Sequence, residues 1–66
     1  MVGRMGRVTG TVGPGLIGEV MVAIRGGAEA FYATAAEPTE TIPVGATVLV
    51  VEYHPPRDVV VARVQR

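Results

Sequence analysis

The chain alternates between apolar and polar positions in a pattern that predicts short β-strands. A first strand is predicted over Arg7–Val12, with Gly10 forming a bend or bulge between Val8 and Val12. A second strand is predicted over Leu16–Ile24. One face of that strand carries Gly18, Val20, Val22 and Ile24. The other face carries Ile17, Glu19, Met21 and Ala23.

A hairpin is predicted between the second and third strands. Arg25–Ala28 contains two consecutive glycines between apolar runs, and both glycines can adopt the positive φ of a tight turn. The third strand is predicted over Ala28–Ala35, with Phe31 and Tyr32 on opposite faces. The segment that follows, Glu37–Glu40, is polar and contains a proline, so the strand is expected to end before it.

The longest β-branched apolar run in the chain predicts the fourth strand, over Ala46–Tyr53. Before it, Pro43 is expected at the second position of a turn and Gly45 at the fourth. The turn after it contains two consecutive X-Pro bonds, His54-Pro55 and Pro55-Pro56, where a cis isomer is to be sought. The fifth strand is predicted over Val59–Val64.

Five short strands separated by turns predict an all-β fold, a small closed or nearly closed five-stranded β-barrel. Closure is expected because an open sheet this rich in valine would expose edges that aggregate. The 66 residues are expected to form a single domain, residues 1–66.

Composition excludes several classes of function. The chain contains no Cys, Lys, Ser, Asn or Trp, which removes disulfides, thiolate metal sites, serine nucleophiles and lysine-linked cofactors. Lipoyl- and biotinyl-type carrier domains are therefore excluded. With 48% hydrophobic residues the chain can bury a core, and its apolar stretches are too short to span a membrane. A net charge of zero counts against strong electrostatic binding of nucleic acid.

The segment Gly13–Gly18 matches the dinucleotide-binding pattern GxGxxG, but a strand and not a helix is predicted after it, so we interpret these as turn glycines. His54 is the single histidine and has no second metal ligand beside it, so a surface role is expected. Glu37 and Glu40 are expected to be solvated loop acids. The sequence therefore predicts no enzyme activity, no metal and no cofactor.

Binding of nucleic acid is the alternative function that the residues leave open. In nucleic-acid-binding barrels, aromatic residues on the second and third strands stack on bases while arginines follow the phosphates. Arg25 and Phe31 could act in this way, although a minimal core also needs its aromatic residues.

Taken together, the glycine, proline and valine positions resemble the C-terminal OB-fold domain of the NfeD family. The matching positions run from Val2-Gly3-Arg4-x-Gly6 through Val8-Thr9, Pro14-Gly15 and Tyr32-Ala33 to Ile42-x-x-Gly45-x-x-Val48-x-Val50-Val51 and the last strand. The resemblance implies a five-stranded OB-fold β-barrel in which the usual helix between strands three and four is reduced to a loop, here Ala35–Val44.

The resemblance also implies a function. It implies a non-enzymatic protein–protein interaction module whose partner is a stomatin/flotillin-type membrane protein, and it leaves a homo-oligomer open. The expected location is cytoplasmic, with membrane association through that partner or through membrane helices outside this sequence. The chain could be a complete short protein or a domain of a longer one. Exposed positions of strands four and five are the expected contacts. The candidate partner-binding residues are Tyr53, Val59, Val61 and Arg63.

Overall fold

The computed structural model describes residues 1–64 of the chain. These residues form five β-strands, which are β1 (Met5–Gly10), β2 (Gly18–Ile24), β3 (Gly27–Ala35), β4 (Thr47–His54) and β5 (Asp58–Arg63). All five predicted strands are present. The largest differences in their bounds are two residues: β1 begins and ends two residues earlier than predicted, and β2 begins two residues later.

The strands close into a barrel in the order β1-β2-β3-β5-β4, and β4 pairs with β1 to complete the circle. Neighbouring strands are antiparallel except β3 and β5, which run parallel. In that parallel pair, Tyr32 lies opposite Asp58 at one end and Ala35 lies opposite Val61 at the other. The predicted all-β, five-stranded closed barrel is confirmed. Closure pairs each strand on both sides along part of its length, which removes most of the edge that an open sheet would expose.

The inside of the barrel is a small apolar core built mainly from valine. Its buried side chains are Val8, Val12, Val20, Val22, Phe31, Ala33, Ile42, Val48, Val50, Val59 and Val61. Each buried valine contributes on the order of 1.5–3 kcal/mol relative to an exposed one. The predicted division of β2 into two faces is confirmed, because Gly18, Val20 and Val22 are buried while Glu19 and Ala23 are exposed. The predicted opposition of Phe31 and Tyr32 is confirmed as well, because Phe31 is buried while Tyr32 is exposed.

Two irregularities in the ladders bend the strands around the core. In β1 the pairing with β2 shifts between Val8 and Gly10, which confirms the bend or bulge predicted there. In β4 the pairing with β5 shifts between Val50 and Glu52, so that Val51 is the extra residue. A bulge increases the local twist of a strand, and a barrel of only five strands needs such bends to close.

Two turns differ by one residue from their predicted positions. At the hairpin, Ile24 pairs with Gly27, so the turn residues are Arg25 and Gly26, and only Gly26 has a positive φ (80°). Before β4, the Ala46 N–H donates to the Pro43 carbonyl (3.2 Å), and Gly45 has a φ of 95°. Pro43 is therefore first in its turn and Gly45 third, because the third position is the one that requires positive φ in this kind of turn.

Residues 36–46 connect β3 to β4 without a helix, as the resemblance implied, and residues 1–64 as a whole contain strands, bridges and turns but no helix. Ile42 anchors this loop across the end of the barrel, where it exchanges two backbone hydrogen bonds with Val12 (2.7 and 3.1 Å). The Pro55-Pro56 bond in the turn after β4 is cis, at a place where the sequence suggested looking.

Candidate functional site: the outer surface of the barrel

Polar side chains are confined to the surface in the part of the chain that the structure describes. Among residues 1–64, no polar or charged side chain is buried, and no three His, Asp or Glu residues lie close enough together to hold a metal ion. Residues 1–64 contain no helix that is long and apolar enough to cross a membrane. The polar and charged groups of these residues are therefore presented on the outer surface.

The four predicted partner-binding residues divide between the two sides of the barrel wall. Tyr53 and Arg63 are exposed, as the interaction hypothesis requires. Val59 and Val61 are buried in the core, at 2% and 0% exposure, so their expected position on the outer face is wrong. The reason lies in register. Parallel pairing with β3 and antiparallel pairing with β4 leave Val60 and not its neighbours on the outside.

The two residues of the nucleic-acid alternative are also separated by exposure. Arg25 is exposed in the turn between β2 and β3. Phe31 is only 4% exposed and its ring is covered by Arg57, whose guanidinium carbon lies 5.6 Å from the ring centre. Base stacking needs a free aromatic face. The position of Phe31 therefore contradicts the role that the alternative gave it.

A patch of exposed apolar side chains forms where the β1–β2 connection meets β3. We call it the Ile17 patch, and it consists of Leu16, Ile17 and Tyr32, which are 51%, 78% and 57% exposed. Such large exposed apolar side chains are individually normal on a protein surface, whereas a contiguous group of them marks an interaction site. Among the described residues, Ile17 is the most exposed of the large apolar side chains.

The position of the Ile17 patch follows from the local sequence. Leu16 N–H donates to the Gly13 carbonyl (3.0 Å), which closes a turn and confirms the interpretation of these residues as a turn and not a nucleotide-binding loop. Directly afterwards, Gly18 packs so tightly on the chain at Gly10 and Val12 that a side chain would not fit. The backbone at Gly18 is thus held against β1, while Ile17 just before it points outward.

Beside Ile17 the surface forms a shallow groove of about 150 Å³ between β3 and β5. Tyr32, Thr34 and Val60 form much of its lining, and His54 and Asp58 add polar groups. His54 Nε2 lies 3.0 Å from Glu52 Oε1, but both side chains are more than 60% exposed, so this pair adds little to stability. The groove offers apolar contact area with acidic groups at its border, which suits a protein partner.

A second cluster lies at the start of β3. Arg57 donates from one nitrogen to the Ala30 carbonyl (3.1 Å) and to Glu29 Oε1 (3.3 Å), and its guanidinium covers Phe31. Tyr53 packs edge-on against the same ring, with centroids 6.2 Å apart. Arg57, Glu29 and Phe31 border a surface cavity of about 330 Å³, which Glu19, Ala30 and Tyr32 also line. We call Arg57, Glu29, Phe31 and Tyr53 the Arg57 cluster.

The sequence predicted only part of the Ile17 patch and only part of the Arg57 cluster. The alternation of β2 placed Ile17 on the face opposite Val20 and Val22, and a large apolar residue next to a turn is a usable signal once that face is known to be the outer one. The neighbourhood of Ile17 and Tyr32 depends on the register between β2 and β3, in which Gly18 pairs with Ala33. That register is set by the hairpin turn at Arg25 and Gly26, which was predicted one residue too late. No local pattern points to Arg57, because its contacts join segments that are distant in the sequence.

Fold and surface together define a small OB-type barrel whose distinctive features lie on its exterior. The chain belongs to the NfeD family, because the model of the NfeD C-terminal domain matches residues 5–62. The family resemblance drawn from the glycine, proline and valine positions is confirmed. A comparison with curated proteins found no match.

Solved structures of NfeD-type soluble domains share the fold. The soluble domain of a Corynebacterium glutamicum membrane protein implicated in regulation of membrane protease activity is 25% identical, with a TM-score of 0.76 over 91% of this chain and 86% of that one. The C-terminal domain of stomatin operon partner protein 1510-C from Pyrococcus horikoshii is 27% identical, with a TM-score of 0.72 over 100% and 91%. The soluble domain of the NfeD protein YuaF from Bacillus subtilis is 30% identical, with a TM-score of 0.71 over 97% and 71%.

Proposed function

We propose that this chain is a non-enzymatic protein–protein interaction domain whose partner is a stomatin/flotillin-type membrane protein. The observation that carries the proposal is the Ile17 patch with its adjoining groove, on a barrel whose interior is filled by valine. The similar Pyrococcus horikoshii domain is described as a stomatin operon partner, which supports this choice of partner class. In this proposal the domain works at the membrane surface through that partner.

The proposed contact surface replaces part of the one expected from sequence. Tyr53 and Arg63 remain candidates because both are exposed, and Val60 takes the place of its two buried neighbours. The Ile17 patch is the centre of the proposed interface, since truncating large, partly buried apolar anchors usually costs an interface most.

The test is recovery of the membrane partner from detergent-solubilised cells of the native host with a tagged domain. We expect the wild-type domain to recover a stomatin/flotillin-type protein whether or not nuclease is added. The double variant Ile17→Ser with Tyr32→Ser should lose it. Met5→Ser is the matched control, because Met5 is also an exposed apolar residue (47%) but lies on β1, outside the patch.

Two results would contradict the proposal. If the double variant recovers the partner as well as the control does, the Ile17 patch is not the interface. If recovery yields nucleic acid and disappears with nuclease, the alternative OB-fold function replaces the interaction module.

A further inference from the structure

The strand β3 is longer than the neighbour that covers its second edge. Residues Gly27–Ala33 pair with β2, whereas β5 begins to pair with β3 only at Tyr32. Within residues 1–64, no strand pairs with the other edge of Gly27–Phe31. The barrel thus leaves one short stretch of open sheet edge, at the Arg57 cluster.

The hydrogen-bonding groups on this edge can be assigned from the alternation of the strand. Tyr32 N–H points toward β5, where it donates to the Arg57 carbonyl (2.8 Å). Because main-chain groups of residues two apart point the same way in a strand, Ala30 and Ala28 present their N–H and C=O groups to the open edge. A strand that binds this edge would form hydrogen bonds with these groups and would lie end to end with β5.

The Arg57 side chain lies in the position that such a strand would take. Its guanidinium donates to the Ala30 carbonyl at 3.1 Å, which is the kind of bond that a neighbouring strand would supply. It also pairs with Glu29 (3.3 Å) and covers Phe31. Capping an edge with a charged side chain is a common way to block unwanted pairing. Arg57 also demonstrates that a guanidinium is well accommodated here.

The charge of the adjoining cavity favours a basic occupant. Besides Glu29, its lining includes Glu19, which is exposed and accepts a hydrogen bond from the Thr9 hydroxyl (2.7 Å). Tyr32 adds an exposed aromatic ring. When a ligand displaces Arg57, Glu29 loses its cation, so a ligand that brings its own arginine restores the pair.

We propose that the open edge at Gly27–Phe31 binds an extended basic segment of a partner protein as an added β-strand, in place of the Arg57 side chain. Main-chain bonds to Ala28 and Ala30 hold the segment, and Glu29 selects the basic side chains that lie on its own face of the sheet. Strand addition of this kind is an established mode of peptide recognition. The inference rests on the proposed interaction function and names the chemistry of one partner segment.

The test is a titration of the labelled domain, followed by amide NMR, with a capped peptide of about seven residues that alternates Arg and Val. We expect saturable shifts at the Ala28 and Ala30 amides and slower hydrogen exchange at both. The same peptide with N-methylated backbone, which lacks the required donors, should not bind. A peptide with Glu in place of Arg should bind roughly tenfold more weakly, because it repels Glu29.

Two variants of equal charge change test the role of Arg57. Arg57→Ala removes the competing side chain and should tighten peptide binding by roughly fivefold. Arg25→Ala removes an arginine from the nearby turn without opening the edge, so its affinity should equal that of the wild type. Glu29→Gln should weaken binding about threefold.

Three results would overturn strand addition at this edge. The first is that the N-methylated peptide binds as well as the unmodified one, and the second is that Arg57→Ala and Arg25→Ala bind the peptide with equal affinity. The third is that the peptide binds neither the wild type nor Arg57→Ala. The result is separable from the proposed function, since the titration uses no membrane protein. If the peptide fails while the tagged domain still recovers its membrane partner, only the edge site is wrong. If the peptide binds as expected but no membrane partner is recovered, the edge site stands and the partner class is wrong.

Discussion

Replacing Gly18 with alanine should destabilise this domain more than any other glycine-to-alanine change in the barrel. A Cβ atom at Gly18 would lie against Val12 Cγ2 and only 2.8 Å from both the Gly10 carbonyl oxygen and Val12 Cα. Two of these three neighbours are main-chain atoms, which cannot move aside by changing a rotamer. The β1–β2 corner must therefore open, and Val12 with it, at the place where Val12 pairs with Ile42.

The expected loss is large compared with the total stability. Forcing atoms into a packed core costs about 1–3 kcal/mol when side chains can adjust, and we expect about 3 kcal/mol or more here because main chain must shift. A domain of 66 residues has a free energy of unfolding of roughly 3–10 kcal/mol. The melting temperature should fall by roughly 12–24 °C, at about 4–8 °C per kcal/mol.

The assay is urea unfolding followed by far-ultraviolet circular dichroism, with Gly6→Ala and Gly27→Ala as matched variants. At Gly6 a Cβ would lie 2.9 Å from the Met21 carbonyl oxygen, so an intermediate loss of about 1–2 kcal/mol is expected. At Gly27 no heavy atom lies within 4 Å, and alanine there should leave stability unchanged or raise it by up to about 1 kcal/mol. If Gly18→Ala unfolds within about 0.5 kcal/mol of Gly27→Ala, the reasoning from close packing is refuted.

Further predictions concern the two faces of β5 and the role of Phe31. Val61→Ala should lower the free energy of unfolding by about 1.5–3 kcal/mol, because two buried methyl groups are lost. Val60→Ala, on the outer side, should lower it by less than about 1 kcal/mol. Equal losses in urea unfolding would contradict the assignment of the two faces. Phe31→Ala should cost about 3–5 kcal/mol, measured in the same way, since the ring is buried against Tyr53 and covered by Arg57. Wild-type protein at low salt should show no amide shifts with excess single-stranded oligonucleotide, and salt-dependent shifts around Arg25 would contradict this.

Local pattern was sufficient to predict the strands but not the side on which every residue lies. In β2, valine alternates with other residues, so the inner face could be read from the sequence. In β5, Val59, Val60 and Val61 are all apolar, and a pattern of period two cannot then select a face. The selection is made by pairing with β3 and by the extra residue Val51 in β4, both of which involve distant parts of the chain.

The predicted turn positions were wrong by one residue for a similar reason. Two adjacent glycines at 26 and 27 allow a turn centred on either, and the ladder decides by pairing Gly27 with Ile24. The sequence singled out Phe31 and Tyr53 of the Arg57 cluster, but the ion pair that completes the cluster could not be predicted. It joins Arg57 to Glu29, 28 residues earlier, and the contact exists only because β5 lies beside β3.

The place of β5 in the sheet has a consequence for synthesis of the protein. This strand is the last of the five along the chain, yet it lies between β3 and β4 in the barrel. A nascent chain that ends before Asp58 therefore has two unpaired inner edges and lacks the core valines of β5. Pairings between such distant segments form slowly. The ribosome must deliver nearly the whole domain before the barrel can close, and until then the growing chain exposes valine-rich strand edges to the chaperones of the cell.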